Sequence, residues 1–459
     1  MCAHSDRRIA GDVLIGNAIP LSASKHLSWI YFPKLIGLTA AKQLLMRQKK
    51  YYDTTETTSA STNDPRQIQN NCAAYTQAYG PAMIGARELI ENLRTDCLHY
   101  VGDRPCWAHT ELGYRCTCPK FQPTVRRGLI IKLGAAGDVL RSTPLLRALN
   151  PVATGTKILW VTHSPELVAP EACEAVRPTA ATLARIAAMR WDFCWNLDKD
   201  PDACAIAAST KASEYRGYTL RHGVPYPVDE AAWHKFATGI DNPYSQRNQQ
   251  SYVEEIFDIV GLPFNKEEYW LRTPTNAARR QAAELLPKNS AIGLNIGAGH
   301  RWPSRIWPME FWIELIQLLK MHGLQPVLLG GPEEVEMSAR LVAETGCVAS
   351  GVQSLETFYA MIASCECVVT AVTMAMHLTI GARTPLVLLN NIFNRHEFEL
   401  YGRGEIVEPP VPCDCYYSGS CRTGRNCINE ISPTTVFQAV LRSRRPSGQN
   451  RTSQTKITL

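Results

Sequence analysis

The chain has 459 residues, 45% of them hydrophobic, with a formal net charge of +6 and sixteen cysteines. That length supports two cores with appendages rather than a single sheet. The mildly basic balance suits an anionic ligand or a membrane surface and falls short of a nucleic-acid-binding profile, so no nucleic-acid partner is expected. Met1 is followed by Cys, His, Asp and two arginines with no continuous apolar run, which does not support a secretory signal, and the expected location is cytoplasmic.

Residues 1–95 lack a strand pattern and read as an amino-terminal extension, partly disordered. Its most apolar segment, Leu27 to Leu45, is interrupted by Pro33, Lys34 and Lys42 and is too broken for a bilayer span. A peripheral contact with a membrane surface, a short helix packed on the body and a poorly ordered segment are the open readings. The Ser/Thr/Asn/Gln-rich stretch from Thr54 to Asn71 reads as a linker. Residues 96–125 form a loop-rich module holding Cys97, Cys106, Cys116 and Cys118, with His99 and His109 nearby. The set is a candidate for a structural zinc site, although C-x8-C-x9-C-x-C is not a common finger spacing. A disulfide framework is disfavoured in a chain this large without an export signal.

A first doubly wound domain is expected over 126–280. The apolar run Leu129 to Leu133 reads as a buried parallel strand entering a turn with Gly134 and Gly137, and Thr143 and Pro144 offer an N-cap and first helical position. Asp138 thereby sits at a strand's carboxyl end, where ligands bind in open α/β sheets, with helix capping as its alternative role. Further strands are expected at 157–161 and 193–197, with helices near 180–190, 252–260 and 274–287.

A second such domain is expected over 281–440, with strands at 292–296, 326–329, 367–370 and 385–389 and helices at 309–321 and 373–381. Three of its loops bring distinct chemistry to strand ends. Gly297 to Pro308 joins a permissive backbone at Gly297 and Gly299 to Arg301 and Arg305, whose guanidinium groups match phosphate oxygens. Stacking of Arg305 on Trp302 or Trp307 is the alternative. Gly330-Gly-Pro-Glu-Glu334 sets Glu333 and Glu334 in a helix's first turn, to meet ribose hydroxyls or to complement the helix dipole. Thr373, Met374 and His377 begin a helix whose N–H groups suit a diphosphate. A second cysteine group, Cys413, Cys415, Cys421 and Cys427, reads as reduced thiols in a tight loop, and residues 441–459 as a disordered basic tail.

Four blocks in this order resemble glycosyltransferase family 9, the ADP-heptose:lipopolysaccharide heptosyltransferase group. They are Lys132 to Leu149, Trp302 to Pro308, Leu328 to Glu333 and Met376 to Leu378, and the likeness spans roughly residues 95–440. The resemblance implies a GT-B fold, two Rossmann-like domains facing a cleft, the first meeting the acceptor and the second the nucleotide sugar. It implies inverting transfer from a nucleotide-diphosphate sugar, ADP-heptose by family, to a glycolipid or oligosaccharide acceptor at the inner membrane. It makes Asp138 the general base, Arg305 a donor phosphate or ribose contact, Glu333 or Glu334 the ribose contact, and Thr373 and His377 the frame of the diphosphate. No cofactor is implied for catalysis. One position departs from the family, which often carries an acid where this chain has Val372. A nucleotide-sugar epimerase on the same scaffold and a non-catalytic nucleotide-sugar-binding protein are the alternatives.

Overall fold

The computed structural model describes residues 85–299, 302–412, 415–422 and 424–445. The readings of Leu27 to Leu45 and of 54–71, Arg301, Cys413 and the tail beyond 445 lie outside the described residues.

Two six-stranded sheets organise the chain. The first comprises β1 (Arg126–Ile131), β2 (Thr156–Val161), β3 (Glu174–Val176), β4 (Arg190–Asn196), β5 (Lys211–Arg221) and β6 (Val224–Pro227), in the order β3-β2-β1-β4-β5-β6. The second comprises β7 (Ala291–Asn295), β8 (Gln325–Leu329), β9 (Val348–Ala349), β10 (Cys367–Ala371), β11 (Leu386–Leu389) and β12 (Gly404–Val407), in the order β12-β11-β10-β7-β8-β9. Every pairing is parallel except the β5–β6 hairpin. Both sheets follow the same permutation, so each has a switch point beside its founding strand, between β1 and β4 and between β7 and β10. At such points the loops diverge and leave a crevice beyond the strand ends. The central strands form because their apolar runs are buried on both faces: Leu129, Ile130 and Ile131 have no exposed surface.

The helices that matter for the site are α1 (Ala136–Leu140), α2 (Pro144–Leu149), α3 (Tyr252–Val260), α4 (Asn276–Leu285), α5 (Met309–Met321), α6 (Leu355–Ser364), α7 (Met374–Gly381) and α8 (Pro433–Ser443). Local chemistry fixes their ends. A capping box of Ser251 and Glu254 starts α3, and Gly261 at φ 70° stops it. Thr143 occupies the position before Pro144, but its hydroxyl donates to the Leu140 carbonyl and accepts from Trp270 N–H instead of capping α2. Although α4 begins before residue 281, it packs on α6 of the second half. Helix α8 lies on α5 and runs to Ser443, beyond the expected boundary at 440.

One apolar core takes side chains from both halves, with Val139 and Leu140 of α1 and Met376 and Leu378 of α7 all buried in it. A second core behind β7–β12 contains Trp307 and Trp312, whose rings meet edge to face at 4.8 Å. Among the described residues, no helix is long and apolar enough to cross a membrane.

Candidate active site

The first switch point is built around charge. Lys132, one residue beyond β1, is buried, with its Nζ 3.2 Å from the Asp198 carboxylate and 3.7 Å from Asp138 Oδ2. Asp198, just past β4, also accepts from the backbone N–H groups of Leu133 and Gly134, both at 3.1 Å. Asp138 lies in the first turn of α1, but the N-cap position belongs to Ala135, so capping does not account for the acid. Its Oδ1 receives both Nε and Nη2 of Arg141, at 3.0 and 2.8 Å. The Arg141 guanidinium lies 3.4 Å above the Tyr252 ring. Burial works to raise the pKa of Asp138, yet the charges of Arg141 and Lys132 outweigh it and hold the carboxyl well below the usual carboxylate range. The side chain keeps 30% of its surface exposed toward the crevice.

The second switch point is a cavity of about 460 Å³ whose lining includes Gly297, Gly299, Arg305, Glu334, Thr373 and Met374. Asn295, the last residue of β7, ties the floor together. Its Nδ2 donates to the Leu329 carbonyl at 3.1 Å, and its Oδ1 accepts from the hydroxyls of Thr370 and Thr373 at 2.8 and 3.1 Å. Thr373 also accepts from Ala375 N–H, which starts α7 at the cavity wall. The Glu334 carboxylate accepts from Gly331 N–H at 2.8 Å and also lines the cavity. A side chain at Gly297 would overlap that carboxylate. Glu333 is exposed and outside the lining. Arg305 is buried and donates to the carbonyls of Trp302, Ala298 and Val372, bracing the loops after β7 and β10. Its aromatic neighbour is Phe393, 5.5 Å away, rather than stacking on Trp302 or Trp307 as the alternative reading had it.

The two halves meet where α1 faces α7. A Cβ at Gly137 would lie 2.5 Å from His377 Cδ2, so the glycine expected to approach a ligand instead lets the imidazole in. Gly134 serves through its N–H to Asp198, and a Cβ there would meet nothing within 4 Å. His377 lies outside the cavity lining, stacks on Tyr269 with 6.5 Å between ring centroids, and has a buried Nδ1 with no hydrogen-bond partner. Burial, with Arg141 nearby, pushes its pKa down to about 3.

Superposition on solved structures places this arrangement. The glycosyl transferase family 9 protein of Veillonella parvula DSM 2008 aligns with a TM-score of 0.55 at 18% identity, covering 70% of this chain and 98% of that one. Escherichia coli ADP-heptose lps heptosyltransferase II aligns at 0.50 and 17%, covering 69% and 98%. In sequence, lipopolysaccharide heptosyltransferase 1 of Escherichia coli O18:K1:H7 is 25% identical over 332 residues, 68% of this chain and 97% of its own length. Residues 184–404 match the family model of glycosyltransferase family 9 (heptosyltransferase). The chain carries a glycosyltransferase family 9 domain over these residues. Its fold is GT-B, and it is a glycosyltransferase.

Within this domain, the departure at Val372 has a local counterpart: the backbone carbonyl of Val372 takes a hydrogen bond from Arg305, while its side chain packs against the core shared by the two halves. The sequence reading passed over Asn295, Asp198, Arg141 and Lys132 as site residues. Asn295 and Asp198 carried a usable signal, a polar residue closing an apolar strand run. Arg141 carried only its three-residue spacing from Asp138, since its other neighbours, Tyr252 and Glu397, lie on distant elements.

Among the described residues no three His, Cys, Asp or Glu side chains are gathered to hold an ion, so Cys97, Cys106, Cys116 and Cys118 do not form a tetrahedral set. The module is ordered by other contacts. Cys97 forms an antiparallel bridge with Pro123, Cys106 precedes the short helix Trp107–Leu112, and His109 Nδ1 is used on the Tyr114 carbonyl at 3.0 Å.

His377 gives a stability prediction. Its folded pKa lies below the unfolded value, so the unfolded chain binds more protons between pH 6.5 and about 3. Stability therefore falls as pH drops through that window, by at most about 1.4 kcal/mol per pH unit for one proton. Denaturant unfolding of the wild type and His377→Gln between pH 7.5 and 5 is expected to show the steeper acid loss in the wild type. Equal slopes would refute a neutral buried imidazole.

Proposed function

We propose that the enzyme transfers heptose from ADP-heptose to a hydroxyl of a lipopolysaccharide-core glycan, or of a related glycolipid or oligosaccharide, with inversion at the anomeric carbon. Asp138 accepts the hydroxyl proton as the acceptor oxygen bonds to that carbon and its bond to the diphosphate breaks. A carboxylate this acidic is a weak base in the ground state, so the transfer occurs late, from a hydroxyl already acidified by bond formation. Arg305, Thr373 and Met374 at the start of α7 meet the departing diphosphate, with the helix's positive end supplying part of the field. Glu334 faces the ribose, and neutral His377 borders the reacting groups.

The observation that carries this reading is the pairing of a carboxylate held by cations at one switch point with a cavity bearing an arginine and a helix start at the other. The heptose assignment leans on the likeness to lipopolysaccharide heptosyltransferase 1, and ADP on the family resemblance. Catalysis needs no metal or other cofactor in this scheme, and the enzyme works in the cytoplasm, visiting the inner membrane peripherally where a glycolipid acceptor lies.

Isothermal titration with ADP-heptose, ADP, GDP sugars and UDP sugars, beside turnover with a core-glycan acceptor, tests it. ADP and ADP-heptose are expected to bind, and Arg305→Ala to weaken that binding about ten- to a hundredfold, the loss of one or two charge-assisted hydrogen bonds. Binding followed by epimer formation without acceptor would overturn transfer in favour of epimerisation. Silence across the whole panel would leave a non-catalytic protein.

A further inference from the structure

Arg141 is held from both halves of the molecule. Helix α1 carries it from the first sheet, and it gives Nε and Nη2 to the same oxygen of Asp138, Oδ1. Its remaining nitrogen, Nη1, lies 3.7 Å from Oε2 of Glu397, in the 3-10 turn Arg395–Glu397 that follows β11 in the second half. Asp138 Oδ2 faces Lys132 at the same 3.7 Å, and both of these longer contacts are ion pairs without a hydrogen bond. The two carboxylate oxygens of Asp138 are thus inequivalent: one is committed to Arg141 and the other is not.

Glu397 is itself fixed. It is buried, and the Tyr417 hydroxyl donates to it. Burial and the adjacent Glu397 push the Tyr417 phenol far above its usual range, so it stays a donor. The Tyr417 ring packs edge-on against Phe393 at 5.0 Å and Trp302 at 6.2 Å, and the neighbouring Ser418 carbonyl accepts from Ser304 Oγ at 2.7 Å. Trp302 and Ser304 belong to the loop that presents Arg305. Contacts therefore run continuously from the donor-side arginine through Tyr417 and Glu397 to the acid of the first half.

A guanidinium opposite a carboxylate prefers the fork-to-fork arrangement, in which two nitrogens take both oxygens. In that arrangement both oxygens of Asp138 would share their charge with Arg141, and neither would remain clear of the guanidinium. We propose that Glu397, anchored by Tyr417, is a positioning residue that retains the Nη1 edge of Arg141, confines the guanidinium to Oδ1 and keeps Oδ2 open for the acceptor hydroxyl. This rests on the reading of Asp138 as the general base. Because Glu397 comes from the second half, the acid of the first half is set for catalysis only when the donor-side half stands against it.

A double-mutant cycle in the full chain tests the assignment, since a lysine ammonium cannot bridge two oxygens as a guanidinium does. Glu397→Gln is expected to lower kcat about ten- to a hundredfold, the scale of a small misplacement of a reacting group. Its affinity for ADP should stay within about twofold of wild type, since Glu397 does not line the donor cavity. In an Arg141→Lys background the same substitution should cost nothing further. Tyr417→Phe, which removes only the hydroxyl, should lower kcat by a smaller factor and serves if Glu397→Gln does not fold. Wild-type kcat in both variants, full additivity in the cycle, or loss of ADP affinity along with kcat would overturn the assignment. Asp138→Asn measured alongside separates the two readings: transfer retained in that variant defeats the base, whatever Glu397 does.

Discussion

Asp138→Asn is expected to lower kcat by about three orders of magnitude, within the usual contribution of a positioned general base, and to leave ADP affinity unchanged. The substitution is nearly isosteric and does not strand its neighbours. Lys132 keeps Asp198 at 3.2 Å and Arg141 keeps Glu397 at 3.7 Å, so the buried cations retain counter-charges. Steady-state transfer and calorimetric titration separate the outcomes, and full activity in the variant would remove Asp138 from the proton path. The same change alters the pH dependence of stability. The Asp138 carboxyl is depressed in the folded state, so its contribution is complete above the unfolded value of about 3.9 and is lost as pH falls through the lower folded value. The wild type should therefore lead the variant in stability at neutral pH, with the gap closing below about pH 4.

Gly137→Ala should be the most damaging small substitution in the crevice. The new methyl would lie 2.5 Å from His377 Cδ2 and 2.6 Å from Nε2, and the imidazole it meets is buried, with the Tyr269 ring stacked on it at 6.5 Å. Either α1 separates from α7 or the core strains. Overpacking of this kind costs about 1–3 kcal/mol. A displacement near 1 Å between the acid on α1 and the donor helix lowers kcat by about a hundredfold. Gly134→Ala, three residues earlier, has open space around its Cβ and is the internal control, with near-wild-type stability expected. Thermal denaturation and transfer assays decide it, and a Gly137→Ala enzyme that melts and turns over like the wild type would mean the contact has slack.

The central strands of each sheet were legible because their apolar runs announce burial on both faces, and the glycine loops at their ends located both switch points. Six of the eight donor-side residues read from the sequence line one cavity: Gly297, Gly299, Arg305, Glu334, Thr373 and Met374. The outer strands were illegible for a physical reason. Strand β5 reads Lys-Ala-Ser-Glu-Tyr-Arg-Gly-Tyr-Thr-Leu-Arg, with Lys211 and Arg221 exposed and Glu214 and Arg216 half-buried, and β12 at the edge of its sheet is four residues long, so neither shows a hydrophobic run. Partnerships across the chain were equally hidden. Nothing in the spacing of Arg141 and Glu397 indicates that they share a patch, and nothing at Gly137 indicates that its missing side chain makes room for His377.

The apolar core that runs from Val139 and Leu140 into Met376 and Leu378 means that the two sheets are not independent folding units, despite their repeated strand order. Cutting the chain between the sheets would turn that interior into solvent-facing surface on both pieces, the kind of patch that drives association. Melting should accordingly be one cooperative event, and any damage at the seam is felt by the whole molecule rather than by the half that carries it.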